Sequence, residues 1–221
     1  MNKYAKLTTI LLAAWFAFAL LASAFHLFQN QANRIGGAVA IAALAPVVWF
    51  SLWFAFSAEF RNFASSLNPR TLTYVQSWRI IGIVFLVLAA RGVLPSIFAL
   101  PAGFGDIAIG ATAALVAWKL ANRAHRTSFI LWQALGITDL FLAVGLGTTA
   151  RVLSPESTPM GTMTVLPLSL IPTFLVPLFL ILHIICIAQA RAWRGLSGDT
   201  HQARTPVPDF ATGRFEADPR P

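Results

Sequence analysis

Charge is what this sequence has least of. Lys, Arg, Asp and Glu together make up 11% of its 221 residues, less than half of the about 25% usual in soluble domains. A water-soluble globular domain is the first class this argues against. Cysteine occurs once, at Cys186. A lone thiol forms no internal disulfide and no thiolate metal cage, and it reads as a packing residue. Ten-residue segments of alternating polarity are missing, which removes a transmembrane barrel. Paired histidines at zinc spacing, a phosphate-binding loop and a nucleophile elbow are missing too. The one dinucleotide-like match, GLGTTA at 145–150, ends an apolar run with no strand before it and is set aside. No cofactor or metal is expected on these grounds, and no catalytic residue is identified.

Long apolar runs take the place of charge. Hydrophobic residues make up 57% of the chain, and crossing a bilayer takes about 20 mostly apolar residues as helix. Six runs reach that length, at 7–28, 36–56, 80–99, 101–118, 129–150 and 165–188. Lipid offers no water to an open backbone, so each is predicted helical. The fold class expected is all-α, a polytopic six-helix transmembrane bundle over 1–194. Beyond it, 195–221 is polar, proline-bearing and short of aliphatics, and is predicted to be a disordered cytoplasmic tail. The basic start MNKYAK, the apolar run and Ala22-Ser23-Ala24 also suit a cleaved signal. The length of the run favours a retained anchor.

The formal charge of +8 is distributed unevenly. Lys3, Lys6, Arg61, Arg70, Arg79, Lys119, Arg123, Arg126, Arg191, Arg194, Arg204, Arg214 and Arg220 fall on one side of these runs. Arg34 and Arg151 fall on the other, with Arg91 inside a run. Thirteen against two predicts cytoplasmic N and C termini by the positive-inside rule. Trp78, Trp118, Trp132 and Trp193 sit near the same side, as an aromatic belt would. This pattern suits a membrane surface and excludes nucleic acid as the partner.

Within the runs, the ionisable residues to explain are Arg91, Asp106, Asp139 and His183. Each Arg or Asp at a helix centre costs about 2.5–3.5 kcal/mol to insert. Arg91 and Asp106 flank the outer turn 95–101 at similar depth, and are expected to pair. Asp139 is predicted mid-helix and inward-facing beside Gly136, Ala143 and Gly147, with His183 deeper toward the cytoplasm. Four groups at successive depths would suit a proton path; the same four could equally pin helices together. Gly110 with Ala114, and Ala143 with Gly147, have the four-residue spacing of close helix contacts. Pro167, Pro172 and Pro177 predict bends in the last run. Gly103–Asp106 and Gly136–Asp139 repeat a Gly-x-x-Asp pattern on antiparallel runs, a short hint of an inverted repeat.

At LPAGFGD, LGITDLFLAVGLG and IPTFLVPLFLILH the sequence resembles a group of small bacterial integral membrane proteins with no activity attached to them. The resemblance spans residues 80 to about 188. It implies a bacterial inner-membrane location and about six spans, and carries over no functional residue.

Three function classes follow. The first is a small, proton-coupled transporter or permease-like protein, with Arg91 and Asp106 at the outer mouth and Asp139 and His183 as relay. The second is a membrane-embedded enzyme acting on a lipid or quinone. The third is a non-catalytic protein that assembles or stabilises a partner. The expected partners are the lipid bilayer and a small solute or proton, with a homo-oligomer left open.

Overall fold

The computed structural model describes residues 3–29, 37–153 and 158–193. Among these residues every regular element is helical. Six helices are long and apolar enough to cross a membrane: Lys3–Ala24, Gly37–Phe56, Pro69–Ala90, Ser96–Lys119, Arg126–Ala150 and Ile171–Ala192. Helices α1 (Lys3–Ala24) and α2 (Gly37–Phe56) are followed by the short α3 (Ala58–Ser66). The third long helix is a continuous rod of α4 (Pro69–Val75), a 3₁₀ stretch (Gln76–Gly82) and α5 (Ile83–Ala90). Then come α6 (Ser96–Lys119) and α7 (Arg126–Leu153). The sixth joins a π-helical turn (Ile171–Leu175) to α8 (Val176–Ala192). The expected tail 195–221 and Arg34 lie outside the described residues.

The third helix departs most from expectation, beginning at Pro69 rather than near residue 80. The stretch SLNPRT is a helix start. The Asn68 side chain accepts from the Arg70 N–H, and Pro69 stands in the first turn, where its missing N–H is no loss. The other end is equally well defined. Gly92 takes a φ of +69°, its N–H donates to Ala89 O, and the Val93 N–H reaches back to Leu88 O. That pair of bonds is a Schellman stop. Arg91 therefore caps the helix from outside and is exposed. Starting the rod eleven residues earlier, at Pro69, carries Arg79 from the margin into the middle.

Helix α6 is the hub of this half of the molecule. Ala99, Ala102, Gly103, Gly110, Ala113 and Ala117 are all buried along it, so neighbouring backbones approach closely without large side chains between them. Gly110 bears directly on the backbone of Arg79 and Ile80, as its spacing predicted, whereas Ala114 is exposed. Trp118 and Trp193 stand at helix ends as a belt requires. Trp78 instead lies mid-helix, and Trp132 is buried with its indole N–H donating to Thr112 Oγ1 at 3.0 Å.

The prolines of the last helix shape its start. Pro177 has no N–H to give Thr173 O, and the Trp15 indole of α1 donates to that carbonyl at 3.1 Å. The Val176 N–H bonds to Ile171 O across the π turn. Ser169 Oγ meets Ser23 Oγ at 2.8 Å, which ties the end of α1 to the same region. Helix α3 lies over one end of the bundle. Gln189 donates to the carbonyls of Ala64, Ser65 and Leu67 at its C-terminus. Phe60 is buried, its ring stacked on Trp53 with centroids 3.9 Å apart.

Candidate functional site

Arg79 is the eleventh of the 22 residues of its helix, and it is fully buried. Asp106 is the eleventh of 24, Asp139 the fourteenth of 25 and His183 the thirteenth of 22 in theirs. All four sit within two residues of their helix centres. They also share one guanidinium. Arg79 Nε donates to Asp106 Oδ1 at 2.7 Å, and Nη2 donates to Asp139 Oδ2. Nη1 donates to Gly136 O at 3.2 Å and faces His183 Nε2 at 3.4 Å. The planar fork of arginine suits this divided use, which the single point charge of a lysine could not reproduce.

The local backbone explains how Arg79 reaches its partners. A 3₁₀ helix turns every three residues, so side chains at i and i+3 eclipse. Gln76, Arg79 and Gly82 therefore fall in line, and all three are buried. Glycine then clears the space. A Cβ at Gly82 would overlap the Asp106 side chain, one at Gly105 the Asp139 carboxylate, and one at Gly136 the His183 ring. Three glycines on three helices each open the space that one ionisable side chain occupies.

A second layer of polar groups orients the histidine. His183 Nδ1 lies against Gln133 Oε1, while Gln133 Nε2 donates to Thr73 Oγ1 at 3.0 Å. An amide oxygen only accepts, so the ring proton is on Nδ1 and Nε2 is the acceptor facing Arg79. His183, Gln133 and Thr73 are each 0% exposed. Beside them Gln76 Nε2 donates to Phe179 O at 3.1 Å. Cys186 is buried with its Sγ 3.8 Å from Thr73 Oγ1, as a packing thiol would be. With both carboxylates ionised and the ring neutral, the cluster holds one positive and two negative charges. Its exposed fraction belongs to the two aspartate side chains, at 16% for Asp106 and 13% for Asp139, against 0% for Arg79. Among the described residues no group of three or more His, Cys, Asp or Glu could hold a metal ion.

Three of the four expected residues are thus brought together, and one is not. Asp106 pairs with Arg79 and not with Arg91, because Arg91 lies past the Schellman stop. The expected ladder of depths is replaced by a single cluster: Asp139 and His183 flank the same guanidinium rather than following one another. The two aspartates of the Gly-x-x-Asp pattern converge on Arg79. Arg79, Gln133, Gln76 and Thr73 went unrecognised in the sequence. The available signal was Asn68-Pro69 as a helix start, followed by polar residues at 73, 76 and 79.

No curated protein and no solved structure matches this chain. A family profile described as a domain of unknown function matches residues 35–191, from just before α2 almost to the end of α8, and so takes in Arg79, Asp106, Asp139 and His183. That match covers well over half of the sequence, and the chain belongs to this family, DUF8737.

Proposed function

We propose that the protein is a multi-pass protein of the bacterial inner membrane with both termini cytoplasmic, acting as a small proton-coupled permease. The observation that carries this reading is the Arg79–Asp106–Asp139–His183 cluster at the centres of four long helices. Ionisable groups at that depth, at a junction of several helices, are where transporters hold solutes and coupling ions. The inequality of charge supplies the chemical reason, since an unbalanced carboxylate in lipid has to be matched by a mobile cation. Orientation is supported by the basic residues. With Arg79 counted as interior, 12 remain on the proposed cytoplasmic side, against Arg34, Arg91 and Arg151.

An enzyme would gather its acid and base at one depth, as these groups are gathered. That depth, however, is the helix centre, and His183 has no exposed surface to offer a lipid or quinone headgroup. An assembly protein would turn its polar groups outward, whereas these converge inward. The test is proton movement in proteoliposomes loaded with a pH-sensitive dye and challenged with a panel of amino acids, sugars and organic ions. A solute-dependent proton flux should be lost in Asp139→Asn and kept in Arg91→Ala. Flux that survives Asp139→Asn, or no flux with any solute, ends the transport reading.

A further inference from the structure

We infer that Asp106 and Asp139 share one exchangeable proton, with Arg79 as the fixed counter-charge and His183 excluded as the carrier. The inference rests on the membrane-embedded reading above and is independent of whether a solute moves.

Arg79 presents Nε and Nη2 along one edge of its guanidinium, the fork that ordinarily receives both oxygens of a single carboxylate. Here two different carboxylates occupy it, one oxygen each. The two acids are thereby held as neighbours, and one positive charge faces two negative ones. Adjacent carboxylates in a low-dielectric site do not both remain ionised; such a pair takes up a single proton that belongs to both. Asp106 Oδ2 and Asp139 Oδ1 are the oxygens that Arg79 leaves free, and no described group donates to either. Loading puts the proton on one of these oxygens and brings the cluster from a charge of −1 to zero; unloading returns the proton to solvent or solute and restores −1. The Asp106 and Asp139 side chains are also the members of the cluster that keep some exposure, at 16% and 13%, while Arg79 and His183 have none.

The ionisable groups facing the pair are Arg79 from the third long helix and His183 from the sixth. Arg79 is committed as the cation. His183 cannot take the proton without setting a second N–H against Arg79 Nη1, since Nδ1 already faces Gln133 Oε1. Cys186 lies behind Thr73, away from the fork. Gln133 is thus a positioning residue that keeps His183 an acceptor and leaves the proton to the acids.

The inference is tested by infrared spectroscopy of the full chain in phosphatidylethanolamine–phosphatidylglycerol nanodiscs, reading the C=O stretch of protonated carboxyl groups. One protonated carboxyl per chain is expected at neutral pH. Asp106→Asn and Asp139→Asn should each remove the band entirely, because a single carboxylate balances Arg79 without a proton. No band in the wild type overturns the inference, as does a band that persists at full strength in either variant. Should the variants fail to fold, the wild type decides by itself. One proton lost in one step as pH rises supports the shared site; two protons, or none, overturns it. A band without solute-linked flux removes the permease reading and leaves the shared proton standing, and flux without the band does the reverse.

Discussion

Around Arg79 four helices meet on one guanidinium, whereas α1 and α2 reach the rest of the molecule with hardly a polar group between them. In the apolar stretch of α2 only 6% of residues are buried, against 39% in α6. Along α1 the buried residues are Ala19, Ala22 and Ser23, and along α2 only Phe50. The difference fits the lipid surroundings proposed above. Lipid tails are as apolar as leucine, so apolar helices gain little by leaving lipid for each other. Close packing over glycine and alanine, and polar groups with no other partner, do the joining instead. The half built on α4–α8 has both. Toward α4–α8 the α1–α2 side has a few aromatic contacts, one serine pair and the Trp15 indole on a carbonyl that Pro177 leaves open.

Arg79→Ala is expected to have the largest effect. It strands two carboxylates in the interior, and breaking a buried ion pair from one side costs about 3–5 kcal/mol. Denaturant unfolding in detergent should show that loss, and Arg79→Lys should restore only part of it. Gly105→Ala comes next, pushing a methyl group into the Asp139 carboxylate for about 1–3 kcal/mol of overpacking. Gly145→Ala, where a Cβ meets nothing, is the matched control and should leave the midpoint unchanged. Trp15→Phe removes the donor to Thr173 O and should cost about 1 kcal/mol. If it costs as much as Arg79→Ala, the contrast between the two halves is broken.

Two smaller effects sharpen the same contrast. Glu59 accepts from Tyr4 Oη and pairs with Lys3 Nζ at 3.2 Å, joining α3 to the start of α1. The Tyr4 hydrogen bond and then Lys3 hold its carboxyl below the ordinary 4.5. A lowered carboxyl stabilises above its unfolded value and loses that contribution as pH falls through the folded one. The α1–α3 contact should therefore loosen as pH drops below 4.5, read as faster proteolysis of the α2–α3 connection with the cluster intact. Least of all, Arg91→Ala should shift the unfolding midpoint by under about 0.5 kcal/mol, as exposed positions do. A loss near that of Arg79→Ala would return Arg91 to the interior.

The residues that carry these contrasts were unequally legible. Asp139 and His183 stood out because an ionisable side chain inside an apolar run has no cheap explanation. Arg79 did not, because the apolar run was counted from residue 80 and its basic neighbours supplied a ready topological role for it. Arg91 stood out wrongly for the mirror reason, since hydropathy runs past Gly92 although the helix stops there. Hydropathy reads side chains, and both errors come from backbone signals, an N-cap with proline at one end and a left-handed glycine at the other. Asp106 stood out as well but was paired with Arg91 instead of Arg79, as follows once its helix neighbour is out of register. The glycines against Asp106, Asp139 and His183 carry no signal of their own, because the need for a missing Cβ exists only once the facing helix is in place.

By itself the sequence determined six long apolar helices, the basic asymmetry of their connections and the presence of acids and a histidine among them. Composition and run length suffice for these, because apolar runs of about 20 residues satisfy their backbones as helices without help from solvent. Only the tertiary structure decided that the ionisable groups share one depth and one guanidinium. Partner choice across helices depends on where each helix starts, how its last turn is capped and which residues lack a side chain. Those features become a site only when four helices are brought together around it.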